Sequence, residues 1–256
     1  MTDANRPSHD VEAKFILRQA RRSELERLMA FYGKHATPSL PAPSVRDLAG
    51  TLEAGRMLII EEQTSGSLLA SAAIFDFTPS GAKDYVGELS GTRVTGTLGG
   101  FGPISVQRLL IGAGLLGHAA LEAENTEGCS SSLISIVRTE NIRSIRNIQE
   151  AGFEPLENKP PWFAYEELAW HGSIVEDEWS YFVATDDTVR RAVTDLTGVG
   201  LLTKGTASLA RQDRGSDRVR AVEIRSELTD LAMALDDLTA IVDGRTAGLS
   251  MPPTHL

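Results

Sequence analysis

Residues 135–153 read SIVRTENIRSIRNIQEAGF, and this stretch says more about the fold than any other. Ser135, Ile136 and Val137 close an apolar run that predicts a strand. Thr139 is the predicted cap of the following helix, and four apolar residues recur on one face of that helix: Ile142, Ile145, Ile148 and Ala151. Gly152 supplies the left-handed residue that ends the helix, and Phe153 returns to the core. The stretch therefore predicts a strand, a helix and a glycine stop.

Four residues of this stretch have a spacing known from a protein family. Asn141 is followed by a small residue, Ser144, three positions later and by Gly152 and Phe153 at positions eleven and twelve. The segment resembles the acyl-CoA-binding half of the GNAT family of N-acetyltransferases. The resemblance implies that Asn141 and Ser144 contact acyl-CoA. An ordinary strand-helix-strand crossover, in which Asn141 satisfies local backbone groups, is the alternative.

Composition narrows the class of protein. The chain has 256 residues, enough for a full core, and its net charge of −10 argues against a nucleic-acid-binding surface. A lone cysteine, Cys129, excludes an intramolecular disulfide framework and a cysteine-rich zinc site, and the five histidines form no ligand-type cluster. We expect no metal. Because no apolar run is long enough for a bilayer and the N-terminus has no signal pattern, we expect a cytoplasmic protein without a membrane segment.

The order of predicted elements extends the resemblance. Strands are predicted at 14–19, 57–62, 68–77 and 84–95, with helices after Ser23 and Ser44 between the first two strands. This is the GNAT order, so the expected fold is α/β (α+β), a mixed central sheet flanked by helices. We predict a disordered segment at 1–12, a GNAT-like acyltransferase domain at 13–186 and a helical extension at 187–256. Apolar residues at alternating steps of four and three, from Ile224 to Val242, predict a long helix over about 218–242 in that extension.

A glycine-rich stretch, GTLGGFGP, occupies residues 96–103. We expect a loop that presents backbone N–H groups to an anion before a helix that starts near Ile104. In the family, the corresponding loop grips the CoA pyrophosphate, and the resemblance assigns that role to Gly96, Leu98, Gly99, Gly100 and Gly102. A second register would place the loop at 111–117, around Gly112 and Gly114, and both registers stay open at this point.

Catalytic residues follow from the resemblance less directly. Glu88 on the fourth predicted strand is the candidate general base, with Asp84 and Glu62 as alternatives. Many family members carry a tyrosine as general acid seven residues after the motif Asn, where this chain has Ile148. Tyr165 is therefore the candidate acid, with Tyr181 as its alternative.

Two functions remain from the sequence. The first is an N-acyltransferase, in most family members an N-acetyltransferase, that uses acetyl-CoA or another acyl-CoA and a small-molecule or peptide amine. The second is a GNAT-like module that binds acyl-CoA without catalysis and acts through a protein partner. The predicted C-terminal helices could also support a homodimer.

Overall fold

The structure is a computed structural model that describes residues 14–37, 41–76, 85–95, 98–124, 131–157, 178–202, 204–213 and 219–228. Its described strands form one mixed sheet of eleven strands in the order β6-β5-β10-β11-β1-β2-β3-β4-β7-β9-β8. The strands are β1 Lys14–Gln19, β2 Met57–Glu62, β3 Leu68–Asp76, β4 Tyr85–Val94, β5 Leu98–Phe101, β6 Ile104–Ser105, β7 Ser131–Arg138, β8 Glu154–Leu156, β9 Trp179–Val183, β10 Gly205–Asp213 and β11 Val219–Ser226. Only two neighbouring pairs among these described strands, β1–β11 and β4–β7, run parallel.

Helices cover both faces of the sheet. They are α1 Leu25–Lys34, α2 Val45–Glu53, α3 Val106–Glu124, α4 Ile142–Glu150 and α5 Asp186–Gly198, with a 3-10 turn at Arg22–Glu24. One apolar cluster joins one face of the sheet to α3, α4 and α5, and a second joins the opposite face to α1 and α2. The mixed sheet flanked by helices that the sequence predicts is thereby confirmed.

Helix α4 begins two residues later than its predicted cap implies. Asn141 is the N-cap residue, and its side chain accepts a hydrogen bond from the Ser144 backbone N–H at 3.2 Å. Thr139 instead donates its hydroxyl to the Glu178 carbonyl, so the cap prediction for Thr139 is wrong. Ile142, predicted on the buried face, is the first residue of the helix and is 68 % exposed. Gly152, at φ +88, ends the helix as predicted.

Helix α3 runs through the glycines that the second register of the phosphate loop requires. Gly112 and Gly114 lie inside the helix, so a loop at 111–117 is wrong. Their small size serves packing: a Cβ on Gly112 would lie 3.6 Å from Ala192 of α5, and one on Gly114 would lie 3.2 Å from the Leu89 side chain of β4. In the helix, these two glycines allow α5 and β4 to approach closely.

The segment after α5 departs most from the prediction. Where the sequence predicts a helical extension with a long helix over 218–242, β10 and β11 form an antiparallel pair. β11 also pairs in parallel with β1, from Lys14↔Glu223 to Leu17↔Ser226. Residues 229–242 of the predicted helix lie outside the described residues. In β11, buried Val222, Ile224 and Ser226 alternate with more exposed neighbours, which is the period of a strand. The C-terminal helices of the predicted fold class are therefore limited to α5 in the described part of the chain.

A four-residue ion-pair cluster fastens the 3-10 turn and α1 to the sheet. Arg18 of β1 donates two hydrogen bonds to Glu24 and one, at 2.8 Å, to Glu61, and Arg27 contacts the same two carboxylates. The hydrogen bonds from Arg18 outweigh burial and lower the pKa of Glu24 to about 2. Burial alone would raise the pKa of Glu61, but hydrogen bonds from Arg18 and Arg27 lower it overall.

Candidate active site

The central pair of parallel strands separates partway along its length. β4 and β7 pair from Tyr85↔Ser131 to Glu88↔Ile134, yet β4 continues to Val94 and β7 to Arg138. Just past the last pair, the Ser135 hydroxyl donates to the Leu89 carbonyl at 3.0 Å. That bond satisfies a carbonyl at the point where the ladder stops, so the strands can splay without leaving this group unpaired.

A bulge lies in β4 directly after the start of the splay. On the β3 side, Ala73 pairs with Ser90 but Ser71 pairs with Arg93, so β4 holds one more residue than its partner. Gly91 within the bulge has φ +63, and a Cβ there would lie 3.2 Å from the Phe75 ring and 3.3 Å from the Tyr32 hydroxyl. The bulge therefore depends on glycine, and it turns the backbone of β4 out of the regular ladder.

A cleft of about 430 Å³ fills the space between the separated strands. Its walls include residues 89–92 of β4, residues 135–138 of β7, Gln107 and Ile111 of α3, and Asn141, Ser144 and Ile148 around α4. Thr37, after α1, and Trp179 of β9 line it from the other face of the sheet. Residues of α3 and α4 thus line the cleft on one face of the sheet, and Thr37 and Trp179 line it on the other.

Polar side chains connect α3 and α4 along one wall of the cleft. Ser105 accepts the Arg108 backbone N–H at 3.1 Å and so caps α3, while its hydroxyl donates to Asn147 at 2.8 Å. Asn147 donates to Gln107 at 2.9 Å, and Gln107 donates to the Ser144 hydroxyl at 3.1 Å. These bonds fix two residues of the cleft wall, Gln107 and Ser144.

Charged groups gather where β7 leaves the sheet. The Arg138 guanidinium lies 5.2 Å from the centre of the Trp179 ring and within 4 Å of the carboxylates of Glu140 and Glu178. Arg138, Glu140 and Trp179 line the cleft. The cleft rim thus carries both signs of charge beside an aromatic surface.

Glu88, the candidate general base, lies on β4 and is one of the described residues. It is fully buried in the last β4–β7 pair, and it follows Val86 by two positions, so it faces the α1 and α2 side of the sheet. Its side chain lies at the base of the splay and not in the cleft wall. Ile148, at the position of the family's tyrosine, does line the cleft and is 3 % exposed. Tyr165 and Asp84 lie outside the described residues.

The described part of the glycine-rich segment is a strand followed by a turn at 102–103. Leu98–Phe101 forms β5, which pairs with β6 through Gly100↔Ser105 and with β10 through Gly100↔Gln212. Leu98 is fully buried, and the Gly102 backbone N–H donates to the Ala210 carbonyl at 2.7 Å. Pairing on both sides uses backbone groups that an anion would need, so the expectation of an open loop is wrong for 98–101. Gly96 lies outside the described residues. The four other candidates are absent from the wall of the cleft: Leu98, Gly99, Gly100 and Gly102.

Sequence reasoning missed several residues of this site. Gln107, Ser135 and Gly91 were assigned no role, because each acts through a partner far away in the chain. A glycine inside an alternating strand is the one signal that could have pointed to the bulge. Among the described residues, no group of three potential metal ligands occurs, and no helix has the length and apolar character to cross a bilayer.

No protein-family model matches this chain, and no curated protein matches it. Among solved structures, it is similar to an acetyltransferase of the GNAT family from Streptococcus pneumoniae, with 16 % identity and a TM-score of 0.39 over 66 % of this chain and 96 % of that one. It is similar to a spermidine N-acetyltransferase from Vibrio cholerae solved with CoA and spermine (12 %, TM-score 0.39, 66 % and 94 %). It is also similar to a GNAT superfamily phosphinothricin acetyltransferase from Sinorhizobium meliloti solved with acetyl-CoA (17 %, TM-score 0.42, 66 % and 86 %).

Proposed function

We propose that the chain is an N-acyltransferase that moves an acyl group, most simply acetyl, from acyl-CoA to an amine. The observation that carries the proposal is the splay of β4 from β7, which opens a cleft lined by the bulged backbone of β4 and by Asn141 and Ser144. These two residues are the ones that the family resemblance assigns to acyl-CoA. The proposal thus rests on the sequence motif together with the cleft that its residues line.

The bulge supplies the electrostatic part of the proposed reaction. In attack on a thioester, negative charge develops on the carbonyl oxygen, and a fixed backbone N–H stabilises it without reorganisation. Residues 89–92 line the cleft, and the bulge takes Gly91 and Thr92 out of the ladder with β3. We place the thioester carbonyl against this segment, where the position of the acyl group is set by the strand itself.

The two faces of the cleft suit two substrates. Acyl-CoA would enter from the face of α3 and α4, where Asn141 and Ser144 lie, and the amine from the face of α1 and α2. Glu88 faces this second side, and we propose that it receives the amine proton through water. The acceptor is proposed as a small molecule or a peptide amine.

Protonation of the departing CoA thiolate needs a group other than the tyrosine that many family members use. Ile148 lies in the cleft wall where a tyrosine would protonate the thiolate, and it carries no proton to give. Tyr165 remains the proposed acid. A thiolate is also a tolerable leaving group, so transfer without a side-chain acid would be slower but not blocked.

Calorimetry with acetyl-CoA and free CoA tests the proposal, with acyl transfer to a panel of amines as the second readout. We expect micromolar binding and a matching rise in melting temperature. Thr92→Trp, which fills the cleft from β4, should abolish binding, and Thr206→Trp on an exposed position of β10 should preserve it. No binding by the wild type, or equal binding by Thr92→Trp, would overturn the proposal. Binding without transfer to any amine would favour the acyl-CoA-binding module instead.

A further inference from the structure

Four linked hydrogen bonds lead from the start of α3 to Ser144 of α4, and all four run in one direction. The Arg108 N–H donates to Ser105, Ser105 donates to Asn147, Asn147 donates to Gln107, and Gln107 donates to Ser144. Each side chain accepts from the group before it and donates to the group after it. This series of hydrogen bonds starts at the first turn of α3, where backbone N–H groups carry partial positive charge, and it ends at the cleft.

The series of hydrogen bonds ends at the Ser144 hydroxyl, whose oxygen is an acceptor. Because the Ser144 oxygen already accepts from Gln107, its own hydrogen needs a further acceptor, and among the described residues the Ser144 hydroxyl donates to none. Ser144 is half-buried and lines the cleft. Linked hydrogen bonds polarise one another, so this hydroxyl is a strengthened donor whose open direction is the cleft.

We infer that Ser105, Asn147 and Gln107 are positioning residues that hold the Ser144 hydroxyl as a hydrogen-bond donor to an oxygen of the acyl-CoA. The inference rests on the proposed function and adds the device by which this chain recognises its cofactor. The accepting oxygen belongs either to an amide carbonyl of the pantetheine arm or to the pyrophosphate. A side-chain donor at this place also offsets the pairing of β5, which takes backbone groups away from the expected phosphate loop.

One isosteric substitution can reverse the direction of the hydrogen bond between Gln107 and Ser144. In Asn147→Asp, the new side chain has no hydrogen to donate, so Gln107 must turn its NH₂ group towards residue 147. The Gln107 carbonyl then faces Ser144 and accepts its hydrogen, which removes the donor from the cleft. We expect Asn147→Asp to weaken CoA binding about tenfold, the same loss as Ser144→Ala, since one hydrogen bond to a ligand has roughly this value.

Asn147→Asp also adds a negative charge. Two comparisons separate the effect of this charge from the loss of the hydrogen bond. Gln149→Glu places the same charge on an exposed position of α4 without touching the chain and should leave CoA affinity within about twofold of the wild type. In the Ser144→Ala background, Asn147→Asp should cause no further loss, because the two changes remove the same hydrogen bond. Independent, multiplying losses, or full affinity in Ser144→Ala, would overturn the inference.

Truncated ligands locate the accepting oxygen. If it is a pantetheine carbonyl, Ser144→Ala should lose the same factor for pantetheine as for CoA. If it belongs to the pyrophosphate, the loss should appear with CoA and be absent with pantetheine. Failure of the proposed function would look different, since wild-type protein would then bind neither ligand. The side-chain amide resonances of Gln107 report the chain in ligand-free protein: they should shift in Ser105→Ala and Asn147→Asp, and unchanged resonances would contradict the relay.

Discussion

Gly100→Ala separates a structural role of the glycine-rich segment from a ligand role. Gly100 pairs with both β6 and β10, and a Cβ on it would lie 2.7 Å from the Ile104 carbonyl oxygen and 3.4 Å from the Ser105 Cα. Both atoms belong to the backbone, so relief requires the β5–β6 hairpin to move by about 0.5 Å or more to restore ordinary contact distances. Overpacking of this kind costs about 1–3 kcal/mol. We expect a loss of about 2 kcal/mol in the free energy of unfolding, or about 1 M in the urea midpoint.

Two other glycines are matched controls in the same urea titration. Gly33 lies in α1, and a Cβ added to it would have no atom within 4 Å, so Gly33→Ala should stabilise by about 0.5–1 kcal/mol. Gly102 has equal space but φ +56, so Gly102→Ala should cost about 1 kcal/mol through backbone conformation alone. Gly100→Ala with wild-type stability would refute the steric argument. Wild-type stability together with weakened CoA binding would restore the pyrophosphate role predicted for this segment.

Three more outcomes are expected. Because the folded-state pKa values of Glu24 and Glu61 are lowered, their contribution to stability is present above about pH 4.5 and is lost as the pH falls towards 2. Glu24→Gln should therefore reduce the fall of the urea midpoint between about pH 6 and pH 3. A fall as steep as that of the wild type would contradict this expectation. Glu88→Gln should lower kcat with CoA affinity unchanged in calorimetry, and normal turnover would remove Glu88 as the base. Gly112→Ala should keep or raise the melting temperature, because the added methyl meets α5 at an ordinary 3.6 Å, whereas Gly112→Leu should lower it through overpacking of about 1–3 kcal/mol; equal melting temperatures for the two variants would contradict the packing argument.

Local signals predicted the first half of the fold well. β1 and β2 begin and end where the sequence indicated, and Ser44 caps α2 by accepting the Asp47 N–H at 3.1 Å. Gly152 ends α4 as predicted. In each case the information lies within a few residues: an apolar run, a capping hydroxyl, or a glycine with positive φ.

Long-range pairing explains what the sequence did not predict. Glycines disfavour strands by local propensity, yet β5 contains two of them because β6 and β10 pair with it on either side. In the same way, Ile224 and Leu228 fit a helical spacing, but β1 offers Val219–Ser226 a partner, and the residues alternate accordingly. β6 follows β5 closely, but β10 is distant from β5 in the sequence, and β1 is distant from β11.

The candidate site was predicted in part. Asn141 and Ser144, which the resemblance singled out, do line a cleft. The bulge at Gly91 and the position of Gln107 beside Ser144 depend on contacts between distant segments. The catalytic and cofactor roles of Glu88, Tyr165 and the glycine-rich segment stay predictions.

The parallel pairing of β1 with β11 has a consequence for the order in which the chain can fold. Lys14 leaves the ribosome more than 200 residues before its partner Glu223. During that interval β1 can pair with β2 on one side, but its other edge stays open, and an open edge with buried-type residues such as Phe15 and Leu17 invites pairing with other chains. Contacts this distant in sequence also slow folding. Nascent chains that stop before Val219 should therefore be the form most dependent on chaperones, and completion of β11 should be the event that releases them.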